Sequence, residues 1–227
     1  MTERAIPRAL AIASSLLAMS LVGVSCKNHN RPRDVELAPA SPERLIEARD
    51  IAQRAGVQAR RAARLRETGK NADESTAKAV ELYRQALTLH RSMPEAWNNL
   101  GVLLMEQQDY LAASEAFTMA MELSPADPRP AENLGLVYDR AGWGEESLRC
   151  YRLALDRDPN YRPALRGAIR AAHLLGIADQ RTLDTVRQGL MLENEPEWRA
   201  FFEREKLRIE GRIEAERQAA AAIAPKP

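Results

Sequence analysis

The chain has 227 residues, with 33 Lys and Arg against 32 Asp and Glu, and only 3 His, 2 Cys and 11 Gly. This balance excludes a global pull toward nucleic acid or an acidic membrane surface, two cysteines cannot build a disulfide framework, and no His/Cys cluster has metal-ligand spacing. With 45% apolar residues but only 5% aromatics, and with Ala, Leu, Arg and Glu abundant, the composition favours helices and supplies little catalytic material.

Residues 1–25 read as an export signal: Arg4 and Arg8 lead, an uncharged stretch runs from Ala9 to Ser25, and small residues precede Cys26. The run is short for a spanning helix and contains Ser14, Ser15 and Ser20; an uncleaved anchor is the second reading. The segment resembles a bacterial lipoprotein signal. That resemblance implies lipidation of Cys26, with Val24 and Ser25 in the lipobox and Gly23 where a leucine is usual, while Lys27 implies outer-membrane sorting. Gly23 and Ser25 equally suit an ordinary small-x-small cleavage site. Residues 26–40 carry Pro32 and Pro39 with little apolar surface, and read as a flexible tether in which His29 is solvated.

Residues 41–93 are expected to form a degenerate first helix pair. Ser41-Pro42-Glu43 opens a helix to about Glu67, Thr68-Gly69-Lys70-Asn71 breaks it, and a second helix spans Asp73 to Arg91. From Pro94 a clear frame appears: Trp97-x₂-Leu100-Gly101-x₂-Leu104, Asp109-Tyr110, Ala113-x₃-Phe117, Ala120 and Pro125. It recurs from Pro128 as Ala131-x₂-Leu134-Gly135-x₂-Tyr138, Ser147-x₃-Tyr151, Ala154 and Pro159, each position displaced by 34 residues. Ala79, Tyr83, Ala86 and Leu89 lie one period upstream. The pattern resembles the tetratricopeptide repeat (TPR) family over about residues 75–160, with units at 94–127 and 128–161. It predicts an all-α solenoid of stacked antiparallel helix pairs, because one hairpin cannot bury both its faces. Pro94 and Pro128 suit helix starts, and Gly142-Trp143-Gly144 reads as an interhelical turn.

Residues 162–194 form a degenerate fourth unit, with a helix from Tyr161-Arg162-Pro163 to Leu175, closed by Gly176, and another from about Asp179 to Leu192. Residues 195–227 are expected to be a capping helix, from about Glu195 to Ala219, and a disordered tail. Trp198, Phe202, Ile209 and Ile213 make one stripe.

No phosphate loop, no nucleophile paired with a histidine and no cofactor motif occurs, so a non-catalytic role without cofactor or metal is expected. The basic run in 43–70 (Arg60, Arg61, Arg64, Arg66) lacks interleaved aromatics and reads as a solvated face rather than a nucleic-acid site. The family resemblance implies a concave groove lined by the first helix of each unit, binding peptides or helices. On this sequence the implied groove residues are Glu95, Asn98, Val102, Met105 and Glu106, then Arg129, Glu132, Leu136, Asp139 and Arg140, with Arg166, Arg170 and His173 from the degenerate unit. Asn99 and Asn133 fall on a frequent family asparagine with a structural role. The lysines of the family's carboxylate-clamping set are missing.

These readings converge on a non-catalytic scaffold of the bacterial envelope that faces the periplasm, is held to the membrane by a lipid or an uncleaved anchor, and binds envelope proteins or peptides. The alternatives are an accessory regulator docking cell-wall enzymes, an assembly factor for a pilus or secretion machine, and a homo-oligomer formed through the last helix. Removing residues 1–25 takes away two arginines and one glutamate and leaves a chain with no net formal charge.

Overall fold

The computed structural model describes residues 41–223. The expected export signal, Cys26, the expected tether and the last four residues of the expected tail lie outside the described residues. Among the described residues the fold is all-α, with nine helices. They are α1 (Pro42–Glu67), α2 (Asp73–Leu89), α3 (Pro94–Glu106), α4 (Tyr110–Leu123), α5 (Arg129–Arg140), α6 (Gly144–Arg157), α7 (Arg162–Leu174), α8 (Gln180–Leu192) and α9 (Pro196–Ile223). They divide into two compact units, one ending at Ser124 and the other beginning at Pro125.

The helix limits follow local chemistry. The Ser41 hydroxyl accepts from the Arg44 amide at 3.4 Å, and Asp109 and Asp179 carboxylates accept from Ala112 and Thr182 amides at 3.2 and 2.7 Å, satisfying first-turn donors. The end of the first helix in each pair is set by one left-handed residue. Gln108, Gly142 and Gly176 all have positive φ and succeed one another at the 34-residue spacing. Gln108 thus holds a conformation for which its two successors use glycine.

In the first unit α1 packs on α2, α2 on α3, and α3 on α4. Gly101 of α3 is the close-approach point: a Cβ there would lie 2.7 Å from the Phe117 ring on α4. The 34-residue register, carried upstream, expects the corresponding α1 positions at Ala63, Arg66 and Glu67. The structure instead buries Ala48, Ala55 and Ala62, all fully. The left-handed residue after α1 is Gly69, five residues earlier than the period demands, so the whole helix is shifted and Ala62 takes the glycine's place. These alanines, seven residues apart, let α1 lie close against α2.

In the second unit α5 packs on α6, α6 on α7, α7 on α8, and α9 closes against α8 and α7. The Tyr151 ring on α6 is clamped on two sides. A Cβ on Gly135 of α5 would approach it to 2.8 Å, and one on Gly167 of α7 to 2.5 Å. Leu148, Ala168, Ala171 and Ala172 complete this layer. A second layer joins Ile169, Leu183 and Val186 to Phe202 and Ile209 of α9, with Trp198 and Ile213 at its margin, so the stripe on the last helix is the buried one. Gly189 leaves room for Phe202, whose ring would lie 2.9 Å from an added Cβ. The last helix runs four residues beyond its expected end, through an alanine run of high helix propensity. Among the described residues no helix is long and apolar enough to cross a membrane.

Candidate protein-binding surface

The predicted groove residues fall on α3, α5 and α7, the first helices of their pairs, and the structure divides them into open, buried and internally engaged groups. In the first unit Glu95 is exposed and Val102 half-buried, whereas Asn98 and Met105 are buried, with 8% and 6% of their surface exposed. Glu106 is engaged: its carboxylate meets Arg66 of α1 at 2.8 Å, and Arg66 also donates to the Thr76 hydroxyl at 2.8 Å. Glu95 sits at a recess of about 790 Å³ with Arg49, Gly56 and Arg60 of α1 and Tyr83 of α2. Asn99 donates to the Tyr83 hydroxyl at 3.2 Å, the structural role its family position implies. Burial raises the pKa of that phenol above its ordinary value. Sequence reasoning missed Arg49, Arg60 and Tyr83 here, because the shifted register of α1 hid which of its faces opens toward α3.

In the second unit Arg129 and Arg140 are exposed. Arg129 is held at the start of α5 by Asp127, at 2.7 Å, and hydrogen bonding to Arg129 holds that carboxyl below its usual range against the cost of its burial. Leu136, Asp139, Arg166 and Arg170 are half-buried. Arg170 pairs with Asp139. Arg166 donates twice to Glu193, at 2.7 and 2.8 Å, pairs with Glu195 at 2.7 Å, and stacks over Trp198 with its guanidinium carbon 5.1 Å from the ring centre. The hydrogen bonds from Arg166 lower the Glu193 pKa to about 2. His173 is exposed, and its Nδ1 lies 2.8 Å from the nearly buried Glu205 of α9, which Arg208 also meets at 2.8 Å. Three of the expected partner-binding side chains, Arg166, Arg170 and His173, thus hold this unit together.

Glu132, Leu136, Tyr151, Arg166, Gly167, Arg170 and Trp198 surround a recess of about 300 Å³ between α5, α7 and the start of α9. Glu132 keeps only 8% of its surface exposed. Burial without a countercharge raises its pKa from 4.5 to about 7. Because the folded chain holds this proton more tightly than the unfolded one, the Glu132 contribution to stability is lost as pH rises from about 4.5 to about 7 and stays lost above. Glu132→Gln is therefore expected to leave stability near pH 4.5 unchanged and to raise it by roughly 2 kcal/mol above pH 7. Urea titrations of both chains across that range check this, and a constant difference would refute it.

Residues 94–127 and 131–161 each match a family model described as "Tetratricopeptide repeat". The repeats occupy α3–α4 and α5–α6. The chain is 31% identical over 85 residues to the general transcriptional corepressor ssn6 of Schizosaccharomyces pombe, which covers 37% of this chain and 8% of that protein. It is 32% identical over 144 residues to the probable UDP-N-acetylglucosamine–peptide N-acetylglucosaminyltransferase SPINDLY of Petunia hybrida, covering 63% of this chain and 14% of that one. Both likenesses therefore span a small part of much longer proteins. Among solved structures, a crystal structure of MamA superposes with a TM-score of 0.51 at 18% identity, covering 65% of this chain and 85% of MamA, which is a likeness of fold.

The chain therefore carries tetratricopeptide repeats over residues 94–127 and 131–161, within an all-α repeat fold. Among the described residues no group of three or more His, Cys, Asp or Glu side chains could hold a metal ion.

Proposed function

We propose that the chain is a non-catalytic scaffold of the bacterial cell envelope, exported, anchored through a lipid on Cys26, and binding envelope proteins through the first-helix faces of its repeats. One conjunction supports the reading: repeats of an interaction family follow a basic, apolar and cysteine-ended leader. Several acyl chains on one cysteine anchor firmly, since each buried CH₂ contributes about 0.8 kcal/mol. Each unit offers its own face, with Glu95 and its neighbours on α1 and α3 in the first, and with Arg129, Glu132, Leu136 and Arg140 on α5 in the second.

Two measurements test the halves of this proposal separately. Cys26→Ser is expected to abolish an acyl label and release the chain from membranes; retention without any label on the unaltered chain overturns the lipid anchor. A photo-cross-linking residue at Leu136 in intact cells is expected to capture a specific partner, with capture falling when Arg129 and Arg140 are reversed to Glu. Capture that ignores both reversals, or no specific capture, overturns the binding face.

A further inference from the structure

The recess in the second unit has an unequal charge ledger. Arg166 and Arg170 line it, but each is already committed, to Glu193 and Glu195 and to Asp139 respectively. Arg162 also lines it and is exposed. That leaves Glu132 on α5 as the acidic group of the site for which no hydrogen bond or ion pair accounts, and it is more than nine-tenths buried. Beside it the ring of Tyr151 forms part of the wall, its hydroxyl shut off from solvent with the Ser147 hydroxyl near it. Leaving such a carboxyl unpaired is costly unless something else visits it. The two glycines that clamp Tyr151 also matter, because Gly167 gives the cavity a wall without a side chain, next to the apolar surface of Leu136. At about 300 Å³ the space lies at the small end of ligand-holding cavities and suits a single side chain.

We propose that this recess takes a basic side chain of a partner polypeptide, its ammonium or guanidinium group seated on the Glu132 carboxylate and its alkyl stem against Leu136 and the Tyr151 ring. The inference rests on the scaffold reading above and names what that scaffold recognises. An acidic side chain fits poorly, since it would meet an unpaired carboxylate and would have to take Arg166 or Arg170 from existing partners. The groups facing Glu132 are Asp139 from its own helix, Tyr151 from α6, Tyr161 just ahead of α7, Arg162, Arg166 and Arg170 from α7, and Glu195 at the head of α9. Their charges cancel apart from Glu132 itself, once Glu193 is counted with Arg166.

The test uses the isotope-labelled full chain at pH 8, where Glu132 is ionised, with n-butylammonium as the probe for a basic stem and n-butyrate as its acidic counterpart. Butylammonium is expected to shift the amide signals of Leu136 and Gly167 saturably. Glu132→Gln should weaken this about tenfold or more, while Glu132→Asp, which keeps the carboxylate, should retain most of it. No saturable shift, an unchanged titration in Glu132→Gln, or saturable binding of butyrate at the same signals overturns the proposal. Cross-linking at Leu136 separates the two readings. Specific capture in cells alongside a negative butylammonium titration removes the basic-group pocket and leaves the scaffold standing.

Discussion

Phe202→Ala is expected to destabilise the second unit by about 3–5 kcal/mol, the cost of deleting a fully buried ring from a core that cannot close over the gap. Phe202 has no exposed surface, and its neighbours come from three helices: Ile169 of α7, Leu183 and Val186 of α8, and Ile209 of α9 itself. Gly189 of α8 is left bare so that the ring can enter, and Trp198 lies one ring away, its centre 6.0 Å from that of Phe202. Losing the ring therefore loosens the seat of α9. The His173–Glu205 contact and the Arg208 hydrogen bond to the Ile177 carbonyl, 2.9 Å long, depend on that seat. A urea melt followed by tryptophan fluorescence reads the loss, and a change below about 1 kcal/mol would mean that α9 does not share this core. Phe201, only half-buried, should cost distinctly less when cut to Ala.

Gly167→Val is the second large effect, at about 3 kcal/mol or more, and it acts through overpacking. A Cβ at Gly167 would lie 2.5 Å from the Tyr151 ring, which has little room to retreat, since Gly135 on its other side is so near that a Cβ there would lie 2.8 Å from the ring. Helix propensity pulls the other way, since a glycine inside a helix costs up to about 1 kcal/mol relative to alanine, but the clash is larger. Gly211, in α9 with nothing within 4 Å of an added Cβ, is the matched control: Gly211→Ala should gain about 0.5–1 kcal/mol. If both substitutions shift the urea midpoint alike, the clamp on Tyr151 is not what keeps Gly167 bare. Pairing Gly167→Val with Tyr151→Leu should recover part of the loss, because the two positions share one contact.

The fold was largely legible because its central contacts repeat. Gly101 faces Phe117 and Gly135 faces Tyr151 at the same offset, and the 34-residue frame displays both pairs in the sequence. The first helix was legible in its extent, from its Ser41 cap to the break at Thr68, but not in its packing. Its contacts use Ala48, Ala55 and Ala62, whose spacing looks unremarkable among the many alanines of this chain. One early left-handed residue, Gly69, moved that face out of phase with the frame.

The surface was half legible. Periodicity placed the candidate residues on first helices of the pairs, and the structure leaves Arg129 and Arg140 among them exposed. Periodicity could not show that Arg166 answers to Glu193 or His173 to Glu205, because those pairings form only once α8 and α9 fold back. Nor could it distinguish Glu132, buried without a partner, from Glu106, taken up by Arg66.

The end of α9 carries a mechanical consequence. From Glu214 to Ala222 its residues are exposed, yet the helix continues through Glu214, Glu216, Arg217 and Gln218, which brace one another along its surface, with Arg212–Glu216 and Arg217–Glu214 both at 3.2 Å. At 1.5 Å per residue, this self-braced stretch acts as a strut. It converts the docking of Phe202 and Ile209 into a fixed heading for its far end, so that an attached label would report, as a change of direction, any loosening of the core that anchors it.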